Sequence, residues 1–76
     1  MTKAQIVARL REAQDLSDQD VALLAASYIQ VCGDVPVNNA TVAGAMLMLA
    51  SRPVTPEEAE WLLIGLHERG LVERCR

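Results

Sequence analysis

The sequence has almost no aromatic residues, with one Trp, one Tyr and no Phe among its 76 residues. Because 51% of the residues are nevertheless hydrophobic, the core must be built from aliphatic side chains, Met and Ala. A chain of this length forms one domain, and it buries only about 60% of the surface that its unfolded form exposes. We therefore expect the remaining apolar surface to be covered by a partner or by a second copy of the chain.

Cysteine and long apolar runs are scarce as well. The two cysteines, Cys32 and Cys75, are too few for a disulfide framework, which favours free thiols in a reducing compartment. The first residues contain no apolar leader segment. The longest apolar run, residues 42–50, is far shorter than the roughly 20 residues that cross a bilayer. These features predict a cytoplasmic protein without a membrane span.

Positive charge is also in the minority, with seven Lys and Arg against ten Asp and Glu and a net charge of −3. No segment is a basic block of the kind that binds nucleic acid, and an acidic surface is repelled by anionic lipids. Catalytic patterns are missing too, because there is no nucleophile–base pair and no glycine-rich phosphate loop. His67 and the two cysteines do not have the spacing of a zinc site. We therefore predict no enzymatic activity, no cofactor and no metal.

What the sequence does contain is a set of helix signals, in which capping residues precede apolar residues spaced three and four apart. The predicted N-caps are Thr2, Ser17, Asn38 or Asn39, and Thr55. The helices are predicted at residues 3–14, 18–32, 40–50 and 56–69. The expected fold is mainly α, a compact four-helix domain over residues 1–76 with a helix-turn-helix-like arrangement. Residues 35–37 and 71–74 are expected to add one short two-stranded β element.

Three of the predicted helices carry an apolar stripe along one side. The stripes consist of Ile6, Val7, Leu10 and Ala13 in the first helix, of Val21, Leu24, Ala25, Tyr28, Val31 and Cys32 in the second, and of Ala59, Leu62, Leu63 and Leu66 in the last. The third helix is apolar nearly all round. We therefore expect it to be enclosed by its own fold or shared with a partner.

The order of these elements resembles a winged helix-turn-helix. The segment Leu62-Leu63-Ile64-Gly65-Leu66-His67-Glu68-Arg69-Gly70-Leu71-Val72-Glu73-Arg74 is similar to the end of the recognition helix and the first wing strand of MarR-type regulators. The resemblance covers about residues 20–74 and does not include a second wing strand. It implies that the last helix is a recognition helix whose first residues enter the major groove of DNA.

The last helix departs from that family at its start, where Glu57, Glu58 and Glu60 would face the phosphates of DNA. Only Arg52 and Thr55 nearby carry groups that donate to a phosphate. We therefore predict a small protein–protein interaction module, an adaptor or inhibitor with a winged-helix-like core that binds a macromolecular partner without catalysis. The alternative is a dimeric DNA-binding transcriptional regulator of the helix-turn-helix type.

Ten residues are predicted to bind the partner, which is another protein or, as a homodimer, a second copy of the chain. They are Trp61, Ile64, Glu57, Glu58, Glu60, Met46, Met48, Arg52, Arg69 and Arg74. Trp is common at the centre of interfaces, and flexible Met side chains suit adaptable surfaces. Each group has a structural alternative: Trp61 and Ile64 pack on the first helix, the glutamates complement the helix dipole, and the arginines are solvated.

Overall fold

The computed structural model describes residues 2–71 and contains four α-helices. They are α1 (Lys3–Arg11), α2 (Asp18–Cys32), α3 (Asn39–Ala50) and α4 (Pro56–Glu68), with a short 3-10 helix at Ala13–Asp15. This confirms the prediction of a mainly α, compact four-helix fold, which measures 29 × 22 × 20 Å. The described residues contain no strand, and Val35 in the first predicted strand is exposed. Of the second predicted strand, only Leu71 lies within the described residues.

Local hydrogen bonds determine where the helices begin. At α1, α3 and α4 the N-cap side chain accepts a bond from the third helical residue, whose own side chain bonds back to the N-cap. At α4, Thr55 Oγ1 accepts from Glu58 N at 3.1 Å and Glu58 Oε1 accepts from Thr55 N at 3.0 Å, with Pro56 at the first position. The cap of α3 is Asn38, not Asn39. The capping pattern therefore predicted all four starts to within one residue.

The ends of the helices agree less uniformly with the prediction. The helix α1 ends at Arg11, three residues early, because the chain tightens there into the 3-10 helix that contains the buried Ala13. The helix α4 ends one residue before the predicted end, in a Schellman arrangement in which Leu71 N donates to Leu66 O at 3.0 Å. This arrangement requires a positive φ at Gly70, which is +71°.

The centre of the core is α2, against which α1, α3 and α4 all pack. Its buried face consists of Val21, Ala22, Ala25, Ala26 and Ile29. Three of these five residues are alanines, and their small side chains let the other helices approach closely. The predicted stripe was wrong at Val31, which is 52% exposed, because Val31 lies on the opposite side of α2.

The other helices pack around α2, and one side of α4 faces the solvent. Lys3 Nζ lies 5.5 Å from the centre of the Tyr28 ring, so the start of α1 is beside the end of α2 and the two helices run antiparallel. The helix α4 packs on α2 and α3 through Ala59, Leu63 and Leu66. Three of the four residues of the predicted stripe are therefore buried, and the fourth, Leu62, is partly buried.

Candidate functional site

The outward side of α4 carries a large exposed aromatic residue. Trp61 is 74% exposed, and Ile64, three residues further along the helix, is half-buried. At 3.6 residues per turn, both lie on the side of α4 opposite its buried face, together with Glu57. We call Glu57, Trp61 and Ile64 the α4 face. The alternative that Trp61 packs on α1 is wrong, because α4 packs on α2 and α3 and leaves the indole in solvent.

The three glutamates at the start of α4 are all exposed. The carboxylate of Glu58 is held by its bond to Thr55 N, so it has a structural role as well as a surface position. The carboxylate of Glu57 makes no hydrogen bond or ion pair with any of residues 2–71. Because it precedes Trp61 by one helical turn, its negative charge lies beside the indole. The α4 face is therefore apolar at its centre and acidic at its edge.

A groove with a volume of about 280 Å³ lies between the start of α2 and α4. It is lined by Asp18, Gln19, Val54, Glu58, Trp61 and Leu62. Val54 and Leu62 are partly buried against the core and supply apolar surface, whereas Trp61 stands exposed beside them. Asp18, Gln19 and Val54 were not predicted as site residues. Asp18 and Gln19 precede the α4 residues of the groove by 39 or more positions, and Val54 lies before that helix. We call this the α2–α4 groove.

A glycine allows Gln19 to lie against α4 beside this groove. A Cβ atom at Gly65 would come within 2.6 Å of Gln19 Nε2, so only glycine leaves room for the amide in its present position. The oxygen of the same amide accepts a 2.8 Å hydrogen bond from Arg69 Nη1. Arg69 is thus a support for the wall of the groove.

Arg52 and Arg69, two of the arginines predicted to bind a partner, are not free cations. Arg52 donates to Asp18 Oδ1 at 2.6 Å, to Ala13 O at 2.8 Å and to Leu16 O at 3.2 Å, and its side chain is 24% exposed. Arg69 is bonded to Gln19, as described above. The structure therefore brings Arg52 and Arg69 to the first turn of α2, where each has an intramolecular partner. Arg74 lies outside the described residues.

The two methionines of α3 lie in opposite environments. Met46 is fully buried in the core, so its prediction as a partner-binding residue was wrong for the folded chain. Met48 is 83% exposed, and Leu47 beside it is also exposed. Ala40 and Gly44 lie on the same outward side, and no residue of α3 is charged. We call Ala40, Gly44, Leu47 and Met48 the α3 face.

Groups that carry chemistry are sparse among residues 2–71. These residues include no cluster of three or more His, Cys, Asp and Glu side chains placed to hold a metal. Cys32 has a free, half-buried thiol, and His67 is exposed. A second opening, of about 330 Å³, is lined by Ile6, Ser27, Gln30 and Val31, none of which titrates. No helix in this part of the chain has the length and apolarity needed to cross a membrane.

Among residues 2–71, the α3 face, the α4 face and the α2–α4 groove each expose apolar side chains. The α3 face has no charge, whereas the α4 face and the α2–α4 groove combine apolar surface with carboxylates. Comparison with protein-family models, with curated proteins and with solved structures gives no match for this chain.

Proposed function

We propose that the chain is a small protein–protein interaction module, an adaptor or inhibitor that binds a partner protein through the α4 face without catalysis. The observation that carries this proposal is the 74% exposure of Trp61 on a helix whose other side is packed. A Trp side chain buries about 150–250 Å² when covered, so its contact with a partner supplies a large hydrophobic gain. We also propose that α3, the turn after it and α4 correspond to the helix-turn-helix part of a winged helix.

The charges around α4 support a protein partner more than DNA. If α4 were a recognition helix, its first residues would meet the phosphates. Those residues are Glu57, Glu58 and Glu60, all exposed, and Arg52 nearby is already bonded to Asp18 and two carbonyl groups. The DNA-binding regulator remains the alternative on the family resemblance alone. We place the module in the cytoplasm as part of the proposal, in keeping with the free thiol of Cys32.

Trp61→Ala should weaken capture of the partner by about 30-fold or more, because truncation of a central Trp commonly costs about 2 kcal/mol or more of binding. The measurement is quantitative mass spectrometry of proteins retained from a lysate of the source cells by immobilised wild type and variant. Because Trp61 is mostly exposed, the variant should keep its fold, which circular dichroism checks.

The matched control for that experiment is Val31→Ala. Val31 is also an exposed apolar residue, but it lies 12 residues along α2 from Gln19, about 18 Å from the α2–α4 groove. A protein captured equally by wild type and Val31→Ala but lost with Trp61→Ala would identify the partner of the α4 face. Equal capture by all three proteins would contradict the proposal.

We propose further that the α3 face pairs with the same face of a second copy. Two copies of a chain with a net charge of −3 repel each other, and the repulsion is weakest where no charged side chain lies between them. The α3 face meets that condition because α3 has no charged residue. Small side chains at Ala40 and Gly44 would let the two helices approach closely, with Leu47 and Met48 supplying apolar contact.

Met48→Glu should convert the dimer into a monomer. In a two-fold symmetric contact the substitution places two carboxylates in one apolar interface, where each loses hydration without a cation to pair with. Sedimentation equilibrium at protein concentrations of about 10–100 μM, where a small and weak interface forms, gives the mass of the assembly directly. Val35→Glu is the control, because Val35 is exposed but outside α3. A wild-type mass of 8.3 kDa throughout this range would refute the pairing.

A further inference from the structure

We propose that the α2–α4 groove binds a basic amphipathic segment of a partner protein. In this arrangement a Lys or Arg side chain of the partner lies over the Trp61 indole, and an apolar side chain of the same segment contacts Val54 and Leu62. The inference rests on the proposed function, for which it names the chemistry of the partner.

Three apolar side chains border the α2–α4 groove. Val54 precedes α4, while Trp61 and Leu62 belong to it. Val54 and Leu62 pack partly against the core, so their positions are fixed before any partner arrives. A preformed apolar floor of this kind favours a partner that inserts a Leu, Ile or Met side chain, as amphipathic helices do.

The charge of the groove selects among such partners. Asp18 and Glu58 line it, and Glu57 is exposed on α4 one turn before Trp61. Among residues 2–71, the cations beside the groove are Arg52 and Arg69, and each is held by an internal bond. The three carboxylates of Asp18, Glu57 and Glu58 outnumber these two guanidinium groups, which favours a cationic segment.

The helix dipoles do not reverse this preference. The starts of α2 and α4 each carry about half a positive charge, and they would attract an anion if they were bare. Both starts are instead capped by side chains, since Ser17 Oγ accepts from Asp20 N and Thr55 Oγ1 accepts from Glu58 N. The first turns also carry Asp18, Asp20, Glu57 and Glu58, whose charge exceeds that of the dipoles.

The position of Glu57 indicates where the cation would lie. Glu57 is one turn before Trp61 on the same side of α4, and its carboxylate has no partner among residues 2–71. A cation over the indole would therefore gain a cation–π contact and a nearby carboxylate together. Nucleic acid offers the opposite charge, because its phosphates would face these same carboxylates.

Trp61 is the only tryptophan of the chain, so its fluorescence reports this site directly. The probe is a synthetic amphipathic helical peptide of Leu and Lys, and its match is the same peptide with Glu in place of every Lys. We expect the Lys peptide to shift the Trp61 emission in a saturable way and the Glu peptide to leave it unchanged. Raising the salt concentration should weaken the binding, since exposed charges are screened.

Two charge variants separate this site from general attraction to an acidic protein. Glu57→Lys should weaken binding of the Lys peptide about fivefold, because a favourable surface pair becomes repulsive. Asp34→Lys makes the same change of charge just after the C-terminal end of α2. It should weaken binding of the Lys peptide less than twofold. A third variant, Glu57→Gln, should weaken binding of the Lys peptide by less than Glu57→Lys does. Thermal unfolding of all three variants checks that loss of binding is not loss of fold.

Three results would overturn the inference: equal binding of the two peptides, equal weakening by Glu57→Lys and Asp34→Lys, or peptide binding without a change in Trp61 emission. None of these results decides the outcome of the capture experiment with Trp61→Ala, which uses the natural partner. If capture depends on Trp61 but the Lys peptide fails, the proposed function stands and the chemistry of the partner is wrong. If the Lys peptide binds as expected but capture is independent of Trp61, the proposed function fails instead.

Discussion

In the monomer, at protein concentrations below those that form the proposed dimer, Met46→Ala should lower the free energy of unfolding by about 2–5 kcal/mol, whereas Met48→Ala should change it by less than about 0.5 kcal/mol. The two residues lie two positions apart in α3, so the change in helix propensity is the same for both. They differ in burial, because Met46 has no exposed surface and Met48 is 83% exposed. Truncation of Met46 leaves a cavity in the core, and truncation of Met48 removes atoms that already contact water.

Urea unfolding followed by circular dichroism measures this difference. A domain of 76 residues is stabilised by roughly 4–11 kcal/mol, so Met46→Ala should remove a large share of the total. An equal loss of stability for the two variants would show that Met48 is covered, for example by a second copy. Repeating the measurement over a range of protein concentrations distinguishes that result from a wrong assignment of the core, because dimer stability depends on concentration.

The sequence alone did not distinguish these two methionines. Their helix has apolar residues on every side, so its periodicity does not indicate which side is inward. The inward side of α3 was decided by packing on α1, α2 and α4, which involves residues far away in the chain. In α4 the periodicity was more informative, because the predicted stripe contained all three buried residues, Ala59, Leu63 and Leu66, together with Leu62, which is partly buried.

The same contrast between local and distant information holds for the candidate site. The start of α4 was predictable, because Thr55, Pro56 and Glu58 make a capping arrangement within four residues. The exposure of Trp61 was left open, since either packing on α1 or an interface satisfied its position in sequence. The α2–α4 groove was not predicted at all, because Gln19 and Gly65 must first be brought together by the fold. No local pattern reports a contact across that distance.

Arg52→Ala should lower the free energy of unfolding by about 2–3 kcal/mol, although the residue lies in a turn and was predicted to bind a partner. Its guanidinium group joins the turn before α4 to the connection between α1 and α2. It does so through bonds to Ala13 O, Leu16 O and Asp18 Oδ1. Because the Asp18 side chain is 55% exposed, the ion pair itself contributes little, and most of the loss comes from the two part-buried carbonyl groups.

Arg9→Ala is the matched control for this prediction. Arg9 also bonds a carbonyl oxygen, that of Glu12 at 2.8 Å, and pairs with Asp15 at 3.6 Å, but these contacts are exposed and join residues close in sequence. We expect Arg9→Ala to cost less than about 1 kcal/mol. Arg52→Lys should recover only part of the loss, because a single ammonium group does not reproduce the forked geometry that reaches all three acceptors. Equal losses for Arg9→Ala and Arg52→Ala, measured by urea unfolding, would show that the Arg52 contacts do not hold the two ends of the fold together.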